Sequence, residues 1–194
     1  AMKRAKAAMI PDDKVDELPK ILFKENGAID AKHVGMKPVK LAAEMGFEVP
    51  EDTQILIFNN RGISRENILC REKLCPVIQL FPYESFEQAV ADAKTNLLWE
   101  GAGHTSVIYT NNTEKAEYVG HELPVGRLVV NQAGGAASGR NYINGLHPTM
   151  SLGCGSWGNN SISENLTYKH LMNTTRLAYY HDCTMPELDE VWKL

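Results

Sequence analysis

Apolar residues fall into two kinds of run along this chain, and the order of those runs predicts the architecture. Ile55 to Phe58 is a compact apolar run, with Pro50 and Asp52 ahead of it and Asn59, Asn60 and Gly62 behind it, the form of a buried strand. Val77 to Phe81 is a second such run. Ser85 then stands where it can cap a helix, with Gln88 three residues on as its capping-box partner. Phe86, Ala89, Val90, Ala93 and Leu97 follow at helical spacing on one face. His104 to Tyr109 reads as a strand again. Asn112 and Thr113 open another helix, whose Ala116, Val119 and Leu123 share a face, and Arg127 to Val130 supply the next strand. Strand, helix, strand, helix, strand makes two consecutive crossover units, which pair their strands in parallel with right-handed connections. The pattern therefore predicts an α/β fold: an open, mainly parallel sheet with flanking helices.

The flanks are less regular. Asp12 to Gly27 reads as a helix through Leu18, Ile21 and Leu22, with Gly27 as its stop and Pro19 tolerable only in a first turn. A shorter helix follows Pro38, through Val39, Leu41, Ala42 and Met45 to Gly46. Beyond Val130 the alternation stops, and about 30 residues rich in Gly, Ala, Ser, Asn and Pro follow, longer than an ordinary connector and typical of a functional loop. Ser163 to Lys169 has room for one or two helical turns. Thr174 to Tyr180 is β-prone but comes too late for a central strand, so its expected place is an exposed sheet edge, including the edge of a second subunit.

Composition narrows the function. With 194 residues and 43% hydrophobic content the chain can bury a core of one domain, at most two. No apolar run approaches the roughly 20 residues that span a bilayer, and the basic start AMKRAKAAM lacks the apolar segment of a secretory signal. A cytoplasmic address is expected, with no membrane partner. A net charge of -4 without a basic stripe argues against nucleic acid, which leaves small molecules and proteins as partners. The four cysteines, Cys70, Cys75, Cys154 and Cys183, form neither CxxC pairs nor zinc-ligand spacing, so reduced thiols and no metal are expected.

The chemistry is concentrated in Ser151 to Asn165, SLGCGSWGNNSISEN. Dense glycine lets backbone approach something closely, and a lone Trp157 beside Cys154 and Gly155 suits a pocket wall; a surface loop without function reads equally well from composition. Glu72 stands just ahead of a strand, where a carboxylate can accept from both hydroxyls of a ribose or lie solvated on the surface. His104 follows a glycine pair at a strand start, where a loop can present an imidazole to a pocket; a structural histidine is the plain alternative. Thr105 and Ser106 carry a weaker signal of the same kind. Arg140, in the long loop, can pair with an anionic tail or simply face water.

Five stretches, in order, resemble the CoA-acylating branch of the aldehyde dehydrogenases. The loop GCGSWGNNS is similar to that branch's GCGSWGGNS-type signature, and REKLCPV (71–77) resembles the superfamily's Glu-x-(apolar)-x-Pro-Val segment. GAGHTSVIYT (101–110) looks like the GIGHTS segment, GRLVVNQ (126–132) resembles the strand ending at the active-site face, and SENLTYKHLMN (163–173) is similar to the stretch closing the catalytic domain. The resemblance implies that residues 1–165 are the later portion of a catalytic domain and 166–194 a tail with a possible oligomerisation strand. It gives Glu72 to the nicotinamide ribose of NAD or NADP, His104 to the thiol or hemithioacetal proton when coenzyme A is co-substrate, and Trp157, Gly155 and Cys154 to the acyl site.

In that family a cysteine thiolate attacks the aldehyde, and the resulting thioester is cleaved by coenzyme A. The nucleophile, the oxyanion-stabilising asparagine and the dinucleotide-binding domain lie upstream of the helix at Asp12, and none of the four cysteines here stands at a matching place. The chain by itself is therefore expected to be inactive and to need an upstream nucleotide-binding domain, within a homo-oligomer. Its form is nearest the succinate-semialdehyde and sulfoacetaldehyde branch, which would give Arg140 an acidic aldehyde to pair with. The competing expectation is a noncatalytic α/β binding or assembly module. The two differ in whether Glu72, His104 and Trp157 converge on one cleft, expected at the carboxyl ends of the strands.

Overall fold

The structure, a computed structural model, describes residues 2–60, 62–184 and 186–191. Its strands are β1 (Ala7–Met9), β2 (Ile55–Asn59), β3 (Val77–Leu80), β4 (Gly103–Ile108) and β5 (Val125–Val130). Its helices are α1 (Asp12–Val15), α2 (Leu18–Leu22), α3 (Pro38–Glu44), α4 (Phe86–Trp99), α5 (Thr113–Glu122), α6 (Gly134–Ala137) and α7 (Leu188–Val191). No described helix is long and apolar enough to cross a membrane.

All strand pairs are parallel, as crossover connections require. β1 joins β2 with Ala7 opposite Ile55, and β2 joins β3 with Leu56 opposite Val77. β4 joins β5 with Gly103 opposite Val125. The α/β class thus stands, but the single continuous sheet does not, because β3 and β4 do not pair and the strands form two sheets, β1-β2-β3 and β4-β5. β3 spends one edge on β2 and β4 spends one edge on β5. Their other edges line a seam, which is flanked by α4.

Each sheet has its own core. Around β2, whose Leu56, Ile57 and Phe58 are all buried, the short helices contribute Leu18, Leu22, Leu41 and Met45, each at most 1% exposed. The second core is smaller: Val90 of α4 meets Val119 and Leu123 of the α5 region, with Phe86, Ala93, Leu97 and Leu128 at its margin. Phe86 and Tyr118 meet as a tilted aromatic pair with centroids 5.9 Å apart, and Lys94 pairs with Glu122 at 3.0 Å.

Local differences from the sequence reading have local causes. The helix expected over Asp12–Gly27 is two helices, because Pro19, lacking an N–H, cannot continue α1 and instead occupies the first turn of α2. The Ser85 cap forms as expected, its hydroxyl accepting from Gln88 N at 3.1 Å; the Gln88 side chain, however, accepts from Glu84 N, one residue before the cap. β1 falls inside the basic start AMKRAKAAM, for which no strand was expected; the short apolar run Ala7–Ile10 was its signal. The expected turn over Ser163–Lys169 lies later, as a 3-10 turn at Tyr168–Leu171. Thr174–Tyr180 forms no strand among the described residues and is exposed throughout.

Candidate active site

A cleft of about 500 Å³ opens at one end of the seam, bounded by Glu72, Lys73, Ile78 and Gln79 on one wall and by Glu100, Gly101, His104 and Thr105 on the other. Glu72 precedes β3 and His104 is the second residue of β4, so the cleft sits at the amino ends of these strands. The sequence expectation of carboxyl ends is thereby corrected. Both residues sit where an incoming loop enters its strand, and the unpaired edges begin there.

Glu72 is held by its main chain. Its N–H donates to Glu100 Oε2 at 2.9 Å, and the other oxygen of that carboxylate accepts from Arg71 Nε at 2.6 Å, while Arg71 Nη1 donates to Gly27 O at 2.7 Å. Burial pushes the Glu100 carboxyl up, but the bonds from Glu72 N–H and Arg71 outweigh it and leave the group below the usual carboxylate range. Glu100 closes α4, so it ties the loop carrying Glu72 to the turn carrying His104. The Glu72 carboxylate itself is exposed and has no hydrogen-bond partner among the described residues.

Next to it, Lys73 is 6% exposed and turned inward, its Nζ donating to Leu69 O at 2.5 Å and Arg71 O at 3.0 Å, 5.8 Å from the centre of the Phe58 ring. Burial lowers its pKa from 10.5 to about 8, against the opposing pull of nearby Cys70 and Cys75. Leu74 then takes φ +47°, a conformation that costs a non-glycine residue about 1 kcal/mol, and its carbonyl accepts from Gly35 N at 2.9 Å. Such strain is found where tertiary contacts dictate the path of a loop, here the loop that delivers Glu72. Burial also pushes the Cys75 thiol up, in keeping with a packing role.

His104 is exposed, with Nδ1 3.1 Å from Thr105 Oγ1. Beneath it the glycine loop packs so closely that a Cβ on Gly103 would lie 2.0 Å from Cys154 O, and one on Gly153 would lie 2.3 Å from Ile162 O. The close approach that the glycines permit is therefore to the chain's own backbone. The 3-10 turn Ser156–Gly158 lies against the start of β4, with Trp157 half exposed on it.

Glu72 and His104, 32 positions apart, thus face one cleft. The expected convergence of Glu72, His104 and Trp157 is met by two of the three: Trp157, with Cys154 and Gly155, the last buried at φ +60°, adjoins the foot of β4 without lining that cleft, because the glycine loop packs on the chain's own backbone. Arg140 is exposed, follows α6 near the carboxyl half of β4, where Gly134 meets Val107, and lines no wall of the cleft. Sequence reasoning passed over Glu100, Lys73 and Arg127. A charged residue inside an apolar strand, as in Gly126-Arg127-Leu128, was the available signal for the last.

Comparison with known proteins identifies the family. The model of the aldehyde dehydrogenase family matches residues 62–170. The chain is 44% identical over 183 residues to the acetylating succinate-semialdehyde dehydrogenase of Clostridium kluyveri, covering 93% of this chain and 40% of that protein. It is 36% identical over 154 residues to a sulfoacetaldehyde dehydrogenase of Acholeplasma sp, covering 78% and 31% respectively. The crystal structure of an acetylating aldehyde dehydrogenase from Geobacillus thermoglucosidasius superposes with a TM-score of 0.85 at 31% identity, over 96% of this chain and 40% of that one. The chain spans less than half the length of each of these relatives, and it belongs to the aldehyde dehydrogenase family.

Proposed function

We propose that this chain forms the later part of the catalytic domain of a CoA-acylating aldehyde dehydrogenase, in which an aldehyde becomes an acyl-CoA through a thioester on a cysteine supplied by another part of the longer protein. The observation that carries the reading is the shared cleft of Glu72 and His104, entered from the unpaired edges of β3 and β4. Two parallel edges facing one another across a seam suit the insertion of further strands, and the chain accounts for 40% of the Clostridium kluyveri relative.

The donor set fits a nicotinamide nucleotide. A carboxylate that is exposed and free of internal partners, as at Glu72, has two oxygens ready for the hydroxyls of a ribose. When bound, NAD or NADP accepts the hydride. This chain's residues hold and orient: Glu100 fixes the backbone of Glu72, His104 offers a ring nitrogen to the cleft, and the glycine loop with Cys154, Gly155 and Trp157 buttresses the foot of β4 beside it.

Likeness to the succinate-semialdehyde and sulfoacetaldehyde enzymes favours an acidic aldehyde as substrate, with Arg140 as the candidate for its anionic tail. Arg140 has to reach the substrate from outside the cleft described above, so its test is separable. The longer protein is assayed for CoA-dependent NAD(P) reduction with succinate semialdehyde and with acetaldehyde. Activity that requires both coenzyme A and the nucleotide is expected, and its absence would refute the acylating reading. In Arg140→Ala, a KM raised about tenfold for the carboxylated aldehyde alone supports the tail contact, and an equal effect on both aldehydes removes it.

A further inference from the structure

Arg127 of β5 is 4% exposed, and among the described residues no carboxylate pairs with it. All five of its N–H groups find neutral acceptors instead. Nε donates to Thr105 Oγ1 at 3.1 Å; Nη1 donates to Gly153 O at 2.9 Å and Asn165 Oδ1 at 3.4 Å; Nη2 donates to His104 O at 3.0 Å and Gly103 O at 3.3 Å. One side chain thus fastens the start of β4 to the glycine loop. Asn165 extends the net, donating to Ser138 O and His147 O, each at 2.8 Å.

The bond to Thr105 has a chemical consequence. A guanidinium only donates, so the Thr105 oxygen must accept from it, and the single hydroxyl proton is left to be given away. Among the described residues the only other partner of that hydroxyl is His104 Nδ1, at 3.1 Å. Were Nδ1 protonated, the oxygen would accept twice and its own proton would have no protein partner among the described residues, leaving it to the water of the cleft. With Nδ1 bare, every proton in the relay is used.

We infer that Arg127, acting through Thr105, is a positioning residue that fixes neutral His104 as the tautomer with Nδ1 bare and the proton on Nε2. The nitrogen left to the cleft is then a hydrogen-bond donor. On the acylating reading, on which this step rests, His104 meets the substrate by donating to a carbonyl or thioester oxygen as negative charge develops there. Taking the proton of the coenzyme A thiol at Nε2 falls to another group.

Long-range ¹H–¹⁵N NMR of the 194-residue chain reads the two ring nitrogens separately, because protonated and bare imidazole nitrogens resonate far apart. The spectrum is taken about two units above the ordinary imidazole value of about 6.5, with the His104 signals assigned by their loss in His104→Gln. Bare Nδ1 and protonated Nε2 are expected in the native chain and in Thr105→Ser, which keeps the hydroxyl. Thr105→Val and Arg127→Lys are expected to move both nitrogens toward a common averaged shift. A protonated Nδ1 in the native chain, or native shifts retained in Thr105→Val, would overturn the inference. Thr105→Val, strand-compatible and nearly isosteric, carries the test if Arg127→Lys fails to fold. No aldehyde or nucleotide is used, so the acylating reading stands or falls separately, on CoA-dependent activity of the longer protein.

Discussion

Lys73 illustrates how much a single residue beside the site costs to keep. Its ammonium is charged at neutral pH but sits in a pocket that lowers its pKa from 10.5 to about 8. In the unfolded chain the group stays protonated up to its ordinary value, so between about pH 8 and 10.5 the unfolded state binds more protons and stability rises with pH; below about pH 8 both states are charged and the full penalty applies. Lys73→Met is therefore expected to raise the unfolding free energy at pH 7 by on the order of 1–3 kcal/mol, the lost bonds to Leu69 O and Arg71 O offsetting part of the gain, with the difference shrinking by pH 10. Urea titrations at the two pH values check this. A difference that is destabilising at pH 7, or that grows with pH, would show that the carbonyl bonds outweigh desolvation. That a buried lysine persists here fits its place, one residue from Glu72, where it anchors the loop to its own carbonyls.

At the scale of elements, the glycine loop and β4 form one packed unit. Gly103 has φ +85°, and a Cβ there would collide with the Cys154 backbone, so Gly103→Ala is expected to lose on the order of 3–5 kcal/mol, seen as a lower denaturant midpoint. A loss below about 0.5 kcal/mol, within the range of an ordinary surface substitution, would contradict this packing. The sequence made the strands and long helices legible because their signals are local: α4 and α5 have apolar faces at helical spacing and Ser85 and Asn112 as caps. Glu72 and His104 were legible as members of sequence patterns. What held them was not. Glu100 looks like any acid at a helix end until its carboxylate is seen to accept from Glu72 N, and Arg127 reads as an edge residue until its five donors are traced across β4 and the loop. The split between β3 and β4 was equally hidden, because strand–helix–strand order specifies a crossover and leaves open whether another strand lies between.

The molecule as a whole is two small sheets held along an open seam, with exposed apolar residues on a strand of each sheet, Ile78 of β3 at 46% and Val107 of β4 at 39%. Its tail adds Leu177, Tyr179 and Tyr180, each more than 80% exposed. Exposure of this kind favours association, and we expect the tail to pair with a second copy of the longer protein. Sedimentation of that protein with and without residues 174–194 checks this: a smaller assembly is expected without them, and an unchanged one would assign the tail elsewhere. The central claim, however, concerns the cleft. Steady-state kinetics of CoA-dependent NAD(P) reduction by the longer protein, compared for Glu72→Gln, His104→Ala and the native form, test it most directly. The account predicts a KM for the nucleotide raised about tenfold in Glu72→Gln and a kcat lowered about 100-fold in His104→Ala. Native values of both constants in both variants would contradict it.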